Sequence, residues 1–115
     1  MSRMLPQPTV DSVELTTLLS ALADPVRLEL LRTLYRSAEP LECSTLADHV
    51  DVTAQTVSHH WRVLREAGLT STRVEGRKRI IRIRCEDVES RFPGLLEAVL
   101  SDHTTKPKKR PVTAS

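Results

Sequence analysis

Aromatic residues are scarce in this 115-residue chain: Tyr35, Trp61 and Phe92 make up 3% of it. Its core must therefore be built from Leu, Val, Ile and Ala, as in many helical domains. The same scarcity argues against the aromatic platforms on which RNA bases stack. No apolar run approaches the ~20 residues of a membrane span. Residues 1–10 lack the apolar stretch of a secretory signal. With no such signal, two cysteines fit a reducing cytoplasm better than a disulfide scaffold, so a cytoplasmic location is expected. No Ser-His-Asp grouping, glycine-rich phosphate loop or Cys-His pair has a supporting context, so an enzyme is not expected.

What is present is unevenly charged. The formal net charge is +2, but residues 1–50 hold 4 basic and 7 acidic groups, whereas residues 51–85 hold 8 basic and 3 acidic groups. A local cationic excess suits a polyanionic partner, although a solvated basic face has the same composition.

Residues 1–10 contain two prolines and no periodicity, and read as a flexible N-terminal tail. Asp11 with Glu14 resembles a capping box opening a first helix. Leu15, Leu18, Leu19 and Leu22 then form one apolar stripe. Asp24-Pro25 starts a second helix, with a carboxylate cap followed by proline at the first helical position. Ser44 is expected to cap a short third helix, and Thr53 a fourth that runs to about Ala67 and stops at Gly68. Residues 69–74 and 79–84 read as strands around a Gly76-Arg77 turn, with Val74, Ile81 and Ile83 inward and Arg73, Arg82 and Arg84 outward. A last helix is expected over about residues 87–102, bent at Pro93-Gly94. Residues 103–115 read as a disordered basic C-terminal tail.

The expected fold is mainly α with a small β-hairpin: a winged helix-turn-helix of five helices and a two-stranded wing, in one DNA-binding and dimerisation domain over 11–102. On the fourth helix, Ala54, Val57, Trp61 and Leu64 share a core side. Gln55, Ser58, His59 and Arg62 share another, at i, i+3, i+4 and i+7. Short polar side chains let a helix approach the major groove, and Gln can pair bidentately with adenine. Arg77, Lys78 and Arg79 cluster at the hairpin tip, where they can reach phosphates. Two basic features flanking one helix point to double-stranded DNA.

Three stretches resemble the ArsR/SmtB family of bacterial repressors: LSALADPVRLELLRTL at 19–34, LADHVDVTAQTVSHHWRVLREAGL at 46–69 and EGRKRIIRI at 75–83. The resemblance implies a homodimer that represses by covering a palindromic operator. It places Gln55, Thr56, Ser58 and His59 in the base-reading segment and Arg77 at the wing tip.

Metal-sensing members resemble one another in ligands this chain lacks. Their Cys-x-Cys pair falls at Glu42 and Ser44, with Cys43 between, and a soft metal needs two or three thiolates. On the last helix, where the zinc sensors carry their ligands, Asp87 and Glu89 lie near the start and His103 near the end, but Leu100 stands where a second His belongs, and Asp87 and Glu89 also suit a helix N-terminus. No metal and no cofactor is therefore expected. Cys43 and Cys85 each begin a helix, where a dipole lowers thiol pKa, so a redox role stays open beside the reading of two unrelated small residues. Arg27 is read either as a family-type basic residue or as half of a surface ion pair. A protein–protein adaptor without DNA binding is the alternative function, and salt-sensitive retention on duplex DNA separates the two.

Overall fold

A computed structural model describes residues 2–37, 39–48 and 50–101. In chain order its elements are β1 (Ser2–Met4), a 3-10 turn (Val10–Ser12), α1 (Leu15–Leu22), α2 (Pro25–Ser37), β2 (Leu41–Glu42) and α3 (Cys43–Ala47). There follow α4 (Ala54–Glu66), β3 (Thr70–Glu75), β4 (Lys78–Ile83), α5 (Cys85–Arg91) and α6 (Leu95–Leu100). One aliphatic core reaches from Val13 to Leu100, with Leu18, Leu30, Leu31, Leu46, Leu64 and Leu69 fully enclosed.

The helix starts follow their caps where a side chain meets free backbone N–H groups. Asp24 Oδ1 accepts from Val26 N at 2.8 Å and Arg27 N at 3.0 Å, opening α2. Thr53 Oγ1 accepts from Thr56 N at 3.2 Å, opening α4. The Asp11–Glu14 capping box does not form. Val13 takes extended backbone and is buried, which keeps the helix from running through it, and α1 starts at Leu15. Nor does Ser44 cap α3: its Oγ donates to Glu42 Oε2 at 3.4 Å, one residue inside the helix.

α4 ends as its glycine requires. Gly68 sits at φ +90°, its N–H donates to Arg65 O, and Leu69 N donates to Leu64 O, both at 3.0 Å. This is a Schellman closure with the buried Leu69 as its apolar contact. The chain then enters a hairpin paired from Thr70↔Ile83 to Glu75↔Lys78, leaving Gly76 and Arg77 as the two-residue turn.

The expected two-stranded wing and five helices need correction. Among the described residues the sheet has four strands in the order β1-β3-β4-β2, and there are six α-helices. β2 pairs Leu41 with Ile81, and β1 pairs Arg3 with Val74. The segment read as a tail over 1–10 thus holds a strand and the start of the 3-10 turn. The expected single last helix is two. Phe92 leaves the helical region at φ −134°, ψ 73°, Pro93 cannot donate, and Gly94 N donates to Glu89 Oε1 at 3.0 Å before α6 begins. Arg84 does not point to solvent. It is buried, donating to Pro8 O at 2.7 Å and to Asp87 Oδ2 at 3.0 and 3.1 Å. Residues 103–115, expected to be disordered, lie outside the described residues.

Candidate nucleic-acid interface

α4 is held rigidly by one side and open on the other. Val57, Trp61 and Leu64 are buried, so the opposite face is fixed in direction by core packing. Gln55, Ser58, His59 and Arg62 are exposed along that face. Ala54, expected inward, is exposed because it precedes the turn that enters the core. Thr56 is half-buried and tied to the cap, its Oγ1 lying 2.9 Å from Thr53 Oγ1. Its hydroxyl therefore braces the first turn, whose free N–H groups suit an anion.

His60 faces inward between α4 and α2. Its Nδ1 lies 3.1 Å from Arg27 Nη1, and Arg27 Nε donates to Ala21 O at 2.5 Å. Arg27 is thus no surface ion pair; it ties the recognition helix to the end of α1. Burial pushes His60 below its ordinary pKa, against the pull of Asp24. The hydrogen bond from the Arg27 backbone holds the Asp24 carboxyl below the usual carboxylate range.

At the wing, Arg77, Lys78 and Arg79 are all exposed. Lys78 Nζ lies 3.6 Å from Glu42 Oε1, an exposed pair that contributes little and can be exchanged for a phosphate. Arg73 pairs with Glu75. Among the described residues Arg62, Arg77 and Arg79 form no ion pair. Arg3, read as tail, is carried onto the wing by β1; three residues are too few for an alternation that would have revealed it.

Among the described residues the metal-sensor positions are not grouped together. Glu42 is turned to Lys78, and Cys43 stands alone. Asp87 is engaged by Arg84, Glu89 caps Gly94, and His103 lies outside the described residues. Among the described residues no three His, Cys, Asp or Glu side chains are grouped to hold an ion. Burial raises the Cys43 thiol against the opposing Arg79 charge; burial also raises Cys85, against the Arg82 charge and with Glu86 and Glu89 adding to it. No helix among the described residues is long and apolar enough to cross a membrane.

Comparison with known proteins bears on this surface. A helix-turn-helix domain family matches residues 22–73. The HTH-type transcriptional regulator YceK of Bacillus subtilis is 38% identical over 79 residues, spanning 69% of this chain and 79% of that protein. The arsenical resistance operon repressor of Staphylococcus xylosus is 37% identical over 73 residues, spanning 64% and 68%. Among solved structures, the homodimeric winged helix-turn-helix DNA-binding domain Mb0332 of Mycobacterium bovis superposes with a TM-score of 0.62 at 26% identity, covering 84% of this chain and 86% of that one.

Proposed function

This chain belongs to the ArsR/SmtB-like family of winged helix-turn-helix transcriptional regulators, a DNA-binding regulator and not an enzyme, and from that premise we propose how it acts. It is a cytoplasmic repressor that binds a palindromic operator as a homodimer. In each protomer Gln55, Ser58 and His59 enter the major groove, with Thr56 setting the helix start. Arg62, Arg77, Lys78 and Arg79 meet the flanking phosphates.

One observation carries this reading: the exposed polar stripe of α4 stands opposite its buried Val57, Trp61 and Leu64, so the core aims it outward as a unit. An adaptor surface has no use for cations left without carboxylates around such a helix, whereas phosphates supply their counter-charge. Two-fold symmetry would set the two α4 helices about 34 Å apart, one turn of DNA.

The test begins with duplexes selected by the protein from a random library. Gln55→Ala should cost about 1–3 kcal/mol on the selected operator and little on a scrambled duplex. Arg77→Ala should weaken both and flatten the salt dependence by about 0.9 per protomer. Equal losses on both duplexes for Gln55→Ala would show that this residue does not read bases.

A further inference from the structure

The two faces of the wing differ in how their charges are balanced. Directly opposed residues of antiparallel strands send their side chains to the same face. Arg3 lies opposite Val74, and Val74 opposite Arg79, so these three line up across β1, β3 and β4. Thr72 and Ile81, two residues nearer the core on the same face, are buried. This face therefore looks toward the side where the core and α4 lie. The other face carries Arg73, paired with Glu75, Lys78, paired with Glu42, and Arg82, whose Nε donates to Ser71 Oγ at 3.3 Å. Each of these cations has a partner, whereas Arg3 and Arg79 on the inner face are without an ion pair among the described residues.

The inner face continues onto the recognition helix. Burial lowers the Arg65 guanidinium below its usual range; Glu66 opposes this, and the nearby Arg79 and Arg62 charges add to it. Arg65 Nε is enclosed with no hydrogen-bond partner among the described residues. Arg62 and Arg65 on α4, Arg79 on β4 and Arg3 on β1 are all without an ion pair among the described residues. Like charges held this way repel one another, and only a polyanion relieves several of them together.

We propose that β1 is part of the DNA-binding surface: it widens the wing to three strands and sets Arg3 on the same face as Arg79, with Val74 between them, to hold backbone phosphate flanking the base-reading helix. This rests on the reading of α4 as the helix in the major groove. Arg3 would anchor without reading sequence, because phosphates carry no base identity.

Salt titrations of full-length wild type, Arg3→Ala, Arg3→Gln and Arg3→Lys on operator and scrambled duplexes test it, with Gln55→Ala and Arg77→Ala alongside. Arg3→Ala and Arg3→Gln should weaken both duplexes by the same factor. Each should flatten the slope of log K against log salt by about 0.9 per protomer, and Arg3→Lys should restore it. The Leu5 amide, bonded to Thr72 O at 2.9 Å, should stay protected from exchange in every variant, showing the strand intact. An unchanged slope for Arg3→Ala beside a flattened one for Arg77→Ala would overturn the role of β1 and leave the wing reading standing. A loss confined to the operator would overturn it too. If Gln55→Ala and Arg77→Ala also changed nothing, the whole interface would be misplaced.

Discussion

A guanidinium offers only N–H donors, so the His60 nitrogen facing Arg27 must accept. Nδ1 therefore carries a lone pair, the proton sits on Nε2, and the ring is neutral in the fold. Burial and the Arg27 charge both favour that state, with Asp24 opposing and His59 adding a smaller push. The sign of the pH effect follows. Above the ordinary value of 6.5 the ring is neutral folded and unfolded, and the contact contributes fully. As pH falls below 6.5 the unfolded chain takes up a proton that the folded chain refuses until lower pH, so stability declines. Asp24, its carboxyl held below 3.8, declines the same way in a separate, more acidic window. Urea midpoints measured from pH 7.5 down to 5.5 should fall for wild type and fall less steeply for His60→Gln. Parallel slopes for the two proteins would remove His60 as the group responsible.

The same contact shows what single residues hide from a sequence. Arg84 reads as a solvent-facing cation at the end of an alternating strand, and Arg27 on its helix as either a family-type basic residue or half of a surface ion pair. Each is instead an interior tie, reaching carbonyls and a ring or carboxylate that lie far off in the chain or around a corner. Long side chains of this kind bury their stems while their heads find distant partners, and no local pattern records the partner. The exposed members of the candidate site were legible because they need no partner: Gln55, Ser58, His59 and Arg62 fall on one face simply by helical spacing.

Elements with a cap at one end and a stop at the other were legible, and short ones held only by pairing were not. Asp24-Pro25, Thr53 and Gly68 bound α2 and α4 through local chemistry. β1 and β2, of 3 and 2 residues, exist because the edges of the hairpin accept them. The junction after α4 joins both kinds of information. A Cβ built on Gly68 would stand 2.4 Å from Val13 Cγ2, so the glycine admits a residue from the segment before α1 as well as supplying a positive φ. Gly68→Ala should therefore combine backbone strain of about 1–2 kcal/mol with an overpacking cost of about 1–3 kcal/mol. Gly76, at φ +61° with nothing within 4 Å, offers a control in which only the first cost applies. Denaturant titration should rank Gly68→Ala well below Gly76→Ala in stability, and Val13→Ala should recover part of the loss in the double variant. Equal losses at the two glycines would mean that Val13 does not press on the helix end.

At the scale of the whole molecule, the apolar stripes of α1 and α6 are divided between the domain and its surroundings. Helical spacing groups Leu15, Leu18, Leu19 and Leu22 on one face of α1, and α6 carries Leu95, Leu96, Val99 and Leu100; one small domain has no evident internal partner for both stripes, which points to a second chain. The fold itself buries Leu18, Leu22, Leu96 and Leu100 and leaves Leu95 and Val99 half-buried. Leu15 and Leu19, one helical turn apart and each 44% exposed, are what α1 still offers to a partner. An isologous contact uses the same patch twice, so a charge placed there is buried in the interface twice, once from each protomer. Leu19→Glu should thus split the dimer without unfolding the protomer, since the core side of α1 is untouched. Light scattering at micromolar concentration should move from about twice 12.9 kDa to about that mass, with the circular dichroism of the wild type retained. The freed protomer should keep one set of phosphate contacts and lose the other, halving the salt slope and removing the preference for a palindrome over a single half-site. A Leu19→Glu protein that remained dimeric would place the two-fold axis away from α1.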